Sequence, residues 1–390
     1  MKDKSSLNSW IETVSSHMPH LSKPQAVVLA MWSFGMVVSK SCGLTTVSVF
    51  IANLLGQKDE TVRQRLREWY KDDEDKKGVQ REEIEVKSCF VPLVKWVLSW
   101  WPPTEKRLAL VVDASTLGQK FTVLAISIVY RGCAIPIAWV LVSATTKEAW
   151  KKHWLALFKE LKGSIPPDWT VIVLADRGLY AKWLYKAIVK ANWHPFLRLK
   201  KSGTYRPKDE HSFRSLAQVV ATVGSSWCGE VVCFKTNPLA CTLLARWDEG
   251  HQEAWLIITD LAPDQADAFW YAMRPWIECG FKHTKRGGWQ WQNTRMTDPN
   301  RASRLWLAIA VATLWVVSVG GDAEENLPAS SFDQLPATHI ARRTTKRSRP
   351  RLVSCFRRGI VTILTALIGG LPLPLGRFHP QPWPTATSPP

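Results

Sequence analysis

Apolar, strand-like segments between residues 106 and 200 constrain the fold of this chain most strongly. RLALVVDAS, FTVLAISIVY and CAIPIAWVLV follow one another directly, and each has the β-branched, apolar composition of a buried strand. The helical stretch TKEAWKKHWLALFKELKG comes next, followed by the strand TVIVLADRG, the helix LYAKWLYKAIVKAN and the strand HPFLRLK. The order βββ-α-β-α-β combines strands and helices on one mixed sheet, and it predicts an α/β core.

The regions around this core differ from it in composition. The N-terminal hundred residues are helical in pattern, the stretch after the core strands has short β-like pieces, and the C-terminal residues are basic and Pro-rich. We expect the C-terminal region to be largely disordered, with one short apolar helix. The predicted units are an all-α N-terminal domain (1–100), the first part of the core (105–202), a β-rich insertion (203–262), the second part of the core (263–320) and the tail (321–390).

The charge of the chain indicates a polyanionic partner. Lys and Arg outnumber Asp and Glu by 51 to 33, which gives a formal net charge of +18. Such an excess attracts nucleic acid or an anionic membrane surface. The 22 Trp residues are expected to be mostly core, although an indole is also a face on which a base can stack. The apolar run GIVTILTALIGG is about half the length that a bilayer requires, so we predict no transmembrane span.

Two short helical patterns lie on either side of GQKDE in the N-terminal region. In the second pattern Val62, Leu66 and Trp69 recur at helical spacing and form an apolar stripe. A helix-turn-helix recognition element has this pattern, with phosphate-contacting arginines opposite the stripe. An ordinary solvated helix of a small bundle has the same pattern, so both interpretations stay open. The residues that face outward are Arg63, Gln64, Arg65 and Arg67.

The eight Cys residues are scattered, with no C-x-x-C pair, and the start MKDKSSLNSW has no secretory signal. This usage predicts reduced thiols in a cytoplasm. Cys228, Cys233 and Cys241 form a cluster whose spacing matches no zinc pattern and would need a distant ligand such as His251. We therefore expect plain buried thiols.

Two aspartates end apolar strands, Asp113 in LALVVD and Asp176 in TVIVLAD. The carboxyl ends of adjacent strands in an α/β sheet meet where ligands bind. A single such Asp is as readily a cap for the next element. Two together indicate paired oxygen ligands for Mg²⁺ or Mn²⁺.

A third carboxylate, Glu278, lies among basic and aromatic residues in YAMRPWIECGFKHTK. On one continuous helix, Tyr271, Arg274, Glu278 and Lys285 would lie within a wedge of about 60°. That face would combine a metal ligand with two cations and a phenol, which suits a phosphodiester beside a metal. Pro275 removes one helix hydrogen bond at this point, so the wedge geometry is approximate.

The spacing of these four residues resembles the Y-R-E-K signature of DDE transposases of the fourth insertion-sequence family, with every gap matched. Asp113 and Asp176 resemble that family's first and second catalytic acids, and the resemblance covers about 105–320. It implies a ribonuclease-H-like catalytic core interrupted by the β-rich insertion, behind a helical DNA-binding domain. It also implies an insertion-domain Trp that stacks on a flipped base. Among Trp227, Trp247 and Trp255, Trp247 looks least like a core residue.

The resulting hypothesis is two-metal phosphoryl transfer on DNA. Asp113, Asp176 and Glu278 would hold two Mg²⁺ or Mn²⁺ ions, while Arg274 and Lys285 bind phosphates near the cleaved bond. Tyr271 would hydrogen-bond one of those phosphates. The resemblance implies double-stranded DNA as partner (terminal inverted repeats and target DNA), at least a homodimer on the DNA ends, no membrane, and a nucleoid-associated place in a prokaryotic cytoplasm. The alternatives are a non-catalytic or domesticated DNA-binding protein and a ribonuclease-H-like nuclease without strand transfer.

Overall fold

One mixed β-sheet with helices packed on it forms the centre of the molecule, in a computed structural model that describes residues 2–77, 82–145, 149–325 and 353–385. The ten strands lie in the order β3-β2-β1-β4-β5-β10-β9-β8-β6-β7. Their bounds are β1 Arg107–Leu117, β2 Phe121–Tyr130, β3 Cys133–Ser143, β4 Thr170–Ala175, β5 His194–Arg198, β6 Thr204–Pro207, β7 Arg214–Ser215, β8 Ser226–Cys233, β9 Leu239–Arg246 and β10 Trp255–Thr259.

Ten α-helices accompany the sheet in the described part of the chain. The bounds are α1 Lys2–His17, α2 Lys23–Ser39, α3 Leu44–Leu55, α4 Asp59–Trp69, α5 Phe90–Ser99, α6 Lys151–Leu161, α7 Lys182–Lys190, α8 Trp276–Lys282, α9 Pro299–Ala323 and α10 Cys355–Ile368. Helices α6 and α7 connect β3 to β4 and β4 to β5, which gives the predicted order βββ-α-β-α-β. The α/β core expected from the sequence is therefore confirmed.

The pairing of β1 positions the strand ends that carry the aspartates. β1 and β2 are antiparallel, and so are β2 and β3, whereas β4 runs parallel to β1 and β5 runs parallel to β4. Strand β2 is buried along its whole length, since the sheet is covered on both faces. In the β1–β4 register Val112 lies opposite Ala175, so the residues that follow, Asp113 and Asp176, emerge side by side.

The β-rich insertion extends the same sheet. β10 pairs antiparallel with β5, and β9, β8, β6 and β7 continue outward from it. The sequence predicted the strand content of 203–262 but not this continuity. Short strands separated by turns do not indicate which sheet they join, because the choice depends on an exposed edge such as that of β5.

The N-terminal helices share a core with the helices that cover the sheet. Trp10 of α1 stacks on Trp315 of α9 with ring centroids 4.1 Å apart, and its indole Nε1 donates to Ser33 at 2.9 Å. Helix α9 is long and apolar enough to cross a membrane, but 94% of its most apolar window is buried inside the protein. It acts as the central core helix, against which the residue 1–100 region packs.

The C-terminal tail is ordered across residues 353–385, contrary to the largely disordered tail expected from composition. The short apolar helix near 357–369 is confirmed as α10, and it crosses α9 so closely that a Cβ on Gly359 would lie 1.8 Å from the Val316 carbonyl oxygen. Beyond it Phe378 and Trp383 are buried. Residues 326–352 and 386–390, which contain most of the basic run, lie outside the described residues.

Candidate active site

Three carboxylates surround one buried guanidinium next to the carboxyl end of β4. Asp176 follows the last residue of β4, whereas Asp113, predicted to end its strand, lies within β1, which continues to Leu117. Arg274 is 4% exposed. Its Nη2 lies 2.9 Å from Asp113 Oδ2 and 3.7 Å from Asp176 Oδ2, and its Nη1 lies 2.5 Å from Glu278 Oε1. The three predicted acids are therefore brought together, although they lie 165 positions apart along the chain at the extremes (278 − 113).

Backbone N–H groups fix the two aspartates. Asp113 Oδ1 accepts from the Ala114 N–H at 2.8 Å, and Asp176 Oδ1 accepts from the Arg177 N–H at 2.6 Å. In each case the oxygen that faces away from the backbone is the one directed at Arg274. The backbone thus holds both carboxylates in one orientation.

Burial and charge act in opposite directions on this group of side chains. Burial raises the pKa of Asp113 above its ordinary value, while Arg274 lowers it and the neighbouring carboxylates raise it. Burial alone would lower the pKa of Arg274, but Asp113 and the other acids outweigh burial and leave the Arg274 pKa raised. The site therefore stabilises a positive charge at the point where the carboxylates meet.

The predicted continuous helix over 271–285 is broken into three pieces. A 3₁₀ helix spans Ala268–Met273, α8 spans Trp276–Lys282, and a π turn spans His283–Gly287. Pro275 starts α8 because its ring cannot donate a hydrogen bond to the preceding turn. Arg274 and Glu278 still face each other across one helical turn, so the break leaves the acid in place.

Tyr271 and Lys285 have partners within the protein. The Tyr271 side chain is buried, and its hydroxyl donates to the Ala175 carbonyl at 3.3 Å. Lys285 Nζ donates to Ser115 Oγ at 2.8 Å and to the Thr116 carbonyl at 2.6 Å, on the part of β1 that continues past Asp113. Tyr271 and Lys285, like Arg274, thus make contacts inside the fold, and the phosphate contacts predicted for these three residues stay predictions.

Comparison with known proteins identifies the domain that contains these residues. The transposase DDE domain family matches residues 106–315, just over half of the chain. The chain belongs to this family. The resemblance seen in the sequence is confirmed at this level, whereas membership in the fourth insertion-sequence family and its Y-R-E-K signature stay predictions.

Two further comparisons add little to the family assignment. No curated protein matches the chain. Among solved structures, the chain is similar to a cryo-EM structure of a piggyBac transposase synaptic complex with hairpin DNA. The similarity is 10% identity over 85% of this chain and 75% of that chain, with a TM-score of 0.40. A TM-score of this size does not establish a shared fold.

DDE transposase domains generally use divalent metals, and the donors at the three acids suit such ions. Carboxylate oxygens are the ligands that Mg²⁺ and Mn²⁺ prefer. Across the described ranges, no group of three or more His, Cys, Asp and Glu side chains is arranged to hold a metal ion. At the three acids the Arg274 guanidinium lies between the carboxylates, so the donor set fits a cation and currently binds one from the protein itself.

The Trp candidates of this transposase domain differ in burial. Trp247 is half-buried, donates from Nε1 to the His251 carbonyl at 3.0 Å, and lines a cavity of about 220 Å³ with Arg198 and Gln252. Trp255 is buried, with its ring centroid 5.4 Å from that of Tyr271. Trp227 is half-buried on β8. The structure therefore leaves Trp247 and Trp227 with accessible ring area, and base stacking stays a prediction.

An ion-pair group next to Asp176 was not predicted from the sequence. Glu253 accepts from Arg177 and, at 3.2 Å, from Arg198 Nη2; the Arg198 side chain is 2% exposed. Arg198 ends β5 as Asp176 follows β4, so the reasoning from strand ends that selected the aspartates could have selected it. Of the three cysteines expected to be buried thiols, Cys233 is buried and Cys241 is partly buried, whereas Cys228 is exposed, so that expectation is wrong for Cys228.

Proposed function

We propose that this transposase-domain chain is an active DNA transposase. It cleaves DNA at the ends of an insertion sequence and joins those ends to target DNA by metal-dependent phosphoryl transfer. The observation that carries the proposal is the convergence of Asp113, Asp176 and Glu278 on one positive charge, in a chain of the transposase DDE domain family. A structural ion pair needs one carboxylate, whereas three around a single guanidinium bring together more negative charge than the fold requires.

Each residue of the site has a definite task in this reaction. Asp113, Asp176 and Glu278 would supply the oxygens that hold two Mg²⁺ or Mn²⁺ ions. When bound, such ions activate a water or a 3′-hydroxyl and stabilise the departing oxygen. Lys285, which donates a hydrogen bond to Ser115 of β1, provides positive charge for the phosphate next to the cleaved one.

Arg274 keeps the acids in position before the substrate enters. Its guanidinium is bonded to Asp113 and Glu278, and its buried Nε has no hydrogen-bond partner among the residues described. A side chain with this spare donor can turn from the acids toward a phosphate oxygen without leaving the site. Tyr271, through the Ala175 carbonyl, holds the end of β4 from which Asp176 projects.

The wider proposals follow from the same reaction. The strand order β3-β2-β1-β4-β5, with β2 antiparallel to its neighbours, supports a ribonuclease-H-like core. Two DNA ends must be held together during transposition, so we infer at least a homodimer on terminal inverted repeats. An insertion sequence as substrate would also place the protein at the nucleoid of a prokaryotic cytoplasm.

The test is cleavage of a duplex that carries the DNA flanking the coding region, including its inverted repeats, in Mg²⁺ and in EDTA. Wild-type protein is expected to cleave at the repeat and to join the released end to plasmid DNA. Asp113→Ala, Asp176→Ala and Glu278→Ala should abolish both products while DNA binding persists. Full cleavage by any of the three variants would refute the assignment. Cleavage without joining would favour a nuclease, and binding without cleavage a non-catalytic DNA-binding protein.

A further inference from the structure

A cleft of about 680 Å³ lies between the N-terminal helices and the chain that follows the third acid. One wall is the amino end of α3 and one face of α4, and the other is the segment 290–301. Arg63 and Arg67, one helical turn apart on α4, both line it, whereas Arg65 on the same helix does not. The sequence predicted that these three arginines contact DNA together, but only Arg63 and Arg67 face the cleft.

The charges in the cleft are mostly positive and partly uncompensated. Arg301 pairs with Asp72, and Lys71 pairs with Glu68 at 3.1 Å. Arg67 and Arg295 are exposed, and within the described ranges neither forms an ion pair. Two arginines without counter-ions on opposite walls of one cleft favour a bound polyanion, because each would otherwise repel the other.

The amino end of α3 adds backbone donors to the same wall. Its N-cap is Gly43, which has no side chain to accept from the N–H groups of the first turn, and Ser41 Oγ accepts from the Gly43 N–H at 3.1 Å. Leu44, Thr45 and Thr46, the first residues of α3, line the cleft with the arginines. Helix amino ends bind phosphate through such N–H groups and the helix dipole.

Two side-chain contacts connect the strand that carries Asp113 to its neighbours on the way to the cleft. Past Asp113, β1 carries Thr116, whose carbonyl accepts from Lys285. At the following turn Lys120 donates to the carbonyl of Thr294, beside Arg295. From Asp113 to the end of β1 is four residues, or about 13 Å, which equals roughly four base-pair steps along the axis of a DNA duplex.

The cleft is also rigidly attached to the core. The Cys42 N–H donates to the Trp289 carbonyl at 2.7 Å, which ties the start of the α3 wall to the segment behind the other wall. Trp289 is fully buried and donates from Nε1 to Thr313 Oγ1 of α9 at 2.9 Å. Both walls are therefore held at a fixed spacing from the sheet that carries Asp113.

We propose that this cleft binds the phosphate backbone of the DNA strand that enters the active site, several nucleotides from the cleaved bond. Arg67, Arg295 and the amino end of α3 are its anchors, and Arg65 lies outside it. The inference rests on the proposed function, since it assigns a path to the DNA that the three acids cleave. In this proposal the N-terminal helices and the acid site contact the backbone of the same DNA strand at different positions.

The experiment measures the Kd of full-length protein for a fluorescent element-end duplex by anisotropy, over a series of salt concentrations. Arg67→Ala and Arg295→Ala should each raise Kd about tenfold, as expected for a lost hydrogen bond to a charged group. The double variant should lower the slope of log Kd against log salt by about two, because two phosphate contacts are lost. Arg65→Ala should weaken binding at least fivefold less than Arg67→Ala, and the exposed Lys186→Ala is the control for a lost surface charge.

Two results would refute the proposal that the cleft binds DNA. One is a double variant with the wild-type Kd and salt slope. The other is an Arg65→Ala variant that loses as much affinity as Arg67→Ala. Mg²⁺-dependent cleavage of the same duplex is measured in parallel. If the wild-type protein never cleaves, the proposed function alone is refuted. If the wild type cleaves but the double variant binds DNA with the wild-type Kd and salt slope, the DNA-binding role of the cleft alone is refuted.

Discussion

Arg274→Met gives the most informative single perturbation of the acid site. It keeps the length of a side chain that is 4% exposed and removes the charge that contacts Asp113, Asp176 and Glu278. Removing one partner of a buried ion pair costs roughly 3–5 kcal/mol, because the other charge is left uncompensated. Here the three carboxylates retain 18%, 29% and 42% of their side-chain exposure, so solvent screens part of the loss. We therefore expect about 3 kcal/mol.

The assay is the unfolding temperature of wild type and variant, with and without Mg²⁺. At about 2–4 °C per kcal/mol, a loss of about 3 kcal/mol in Arg274→Met should lower Tm by about 6–12 °C in EDTA. An ion that binds only the folded state adds about 2.7 kcal/mol at a hundred times its Kd. Mg²⁺ should raise the Tm of the variant more than that of wild type, since no guanidinium competes for the carboxylates.

Two results would refute this reasoning. A variant Tm within 2 °C of wild type in EDTA would mean that Arg274 does not offset the charge of the acids. A Mg²⁺ shift no larger in the variant than in wild type would mean that the ion and Arg274 do not share the same oxygens. Arg274→Lys is the matched control, because it keeps one charge but loses the two-nitrogen fork.

Three further predictions concern packing and thiols. Gly280→Ala puts a Cβ 2.9 Å from that of Ala134, so it should displace α8, lower Tm and reduce cleavage, whereas Gly178→Ala, which meets nothing within 4 Å, should keep the wild-type Tm. Truncation after residue 352 removes buried side chains of the tail, each worth about 1.5–3 kcal/mol, and should lower Tm by more than 10 °C in calorimetry. An unchanged Tm would mean that the tail does not pack on the core, as composition predicted. Ellman's reagent should modify Cys228 quickly in the native protein, since it is the exposed one among the eight cysteines. Burial raises the pKa of Cys42 and Cys89 to about 12, so fast modification of either of these two thiols, located by peptide mass spectrometry, would contradict their burial.

The placement of the acids could be predicted because it depends on local pattern and a general rule of sheets. Asp113 and Asp176 each end an apolar run, and parallel neighbours bring such ends together. The two helices on either side of GQKDE could be predicted equally well, because Gly56 ends the first of them at φ 66°, a conformation that glycine adopts readily. These features need few distant contacts.

The role of Arg274 and the packing of the tail could not be predicted from the sequence. Arg274 was expected to face DNA, but whether a cation binds a phosphate or the acids of its own fold depends on distances between distant elements. Trp383 and Phe378 are buried by partners more than a hundred positions away, including Trp270 and Trp101. Composition rich in Pro and basic residues describes the local chain alone and carries no information on such contacts.

The most direct test of the account is anomalous scattering from Mn²⁺ in crystals of the full chain with bound element-end DNA. The account predicts Mn²⁺ peaks about 2.1 Å from oxygens of Asp113 and of Asp176 or Glu278, with the Arg274 guanidinium moved away from the carboxylates. Saturating Mn²⁺ with no peak between these acids, and Arg274 still bonded to them, would contradict it.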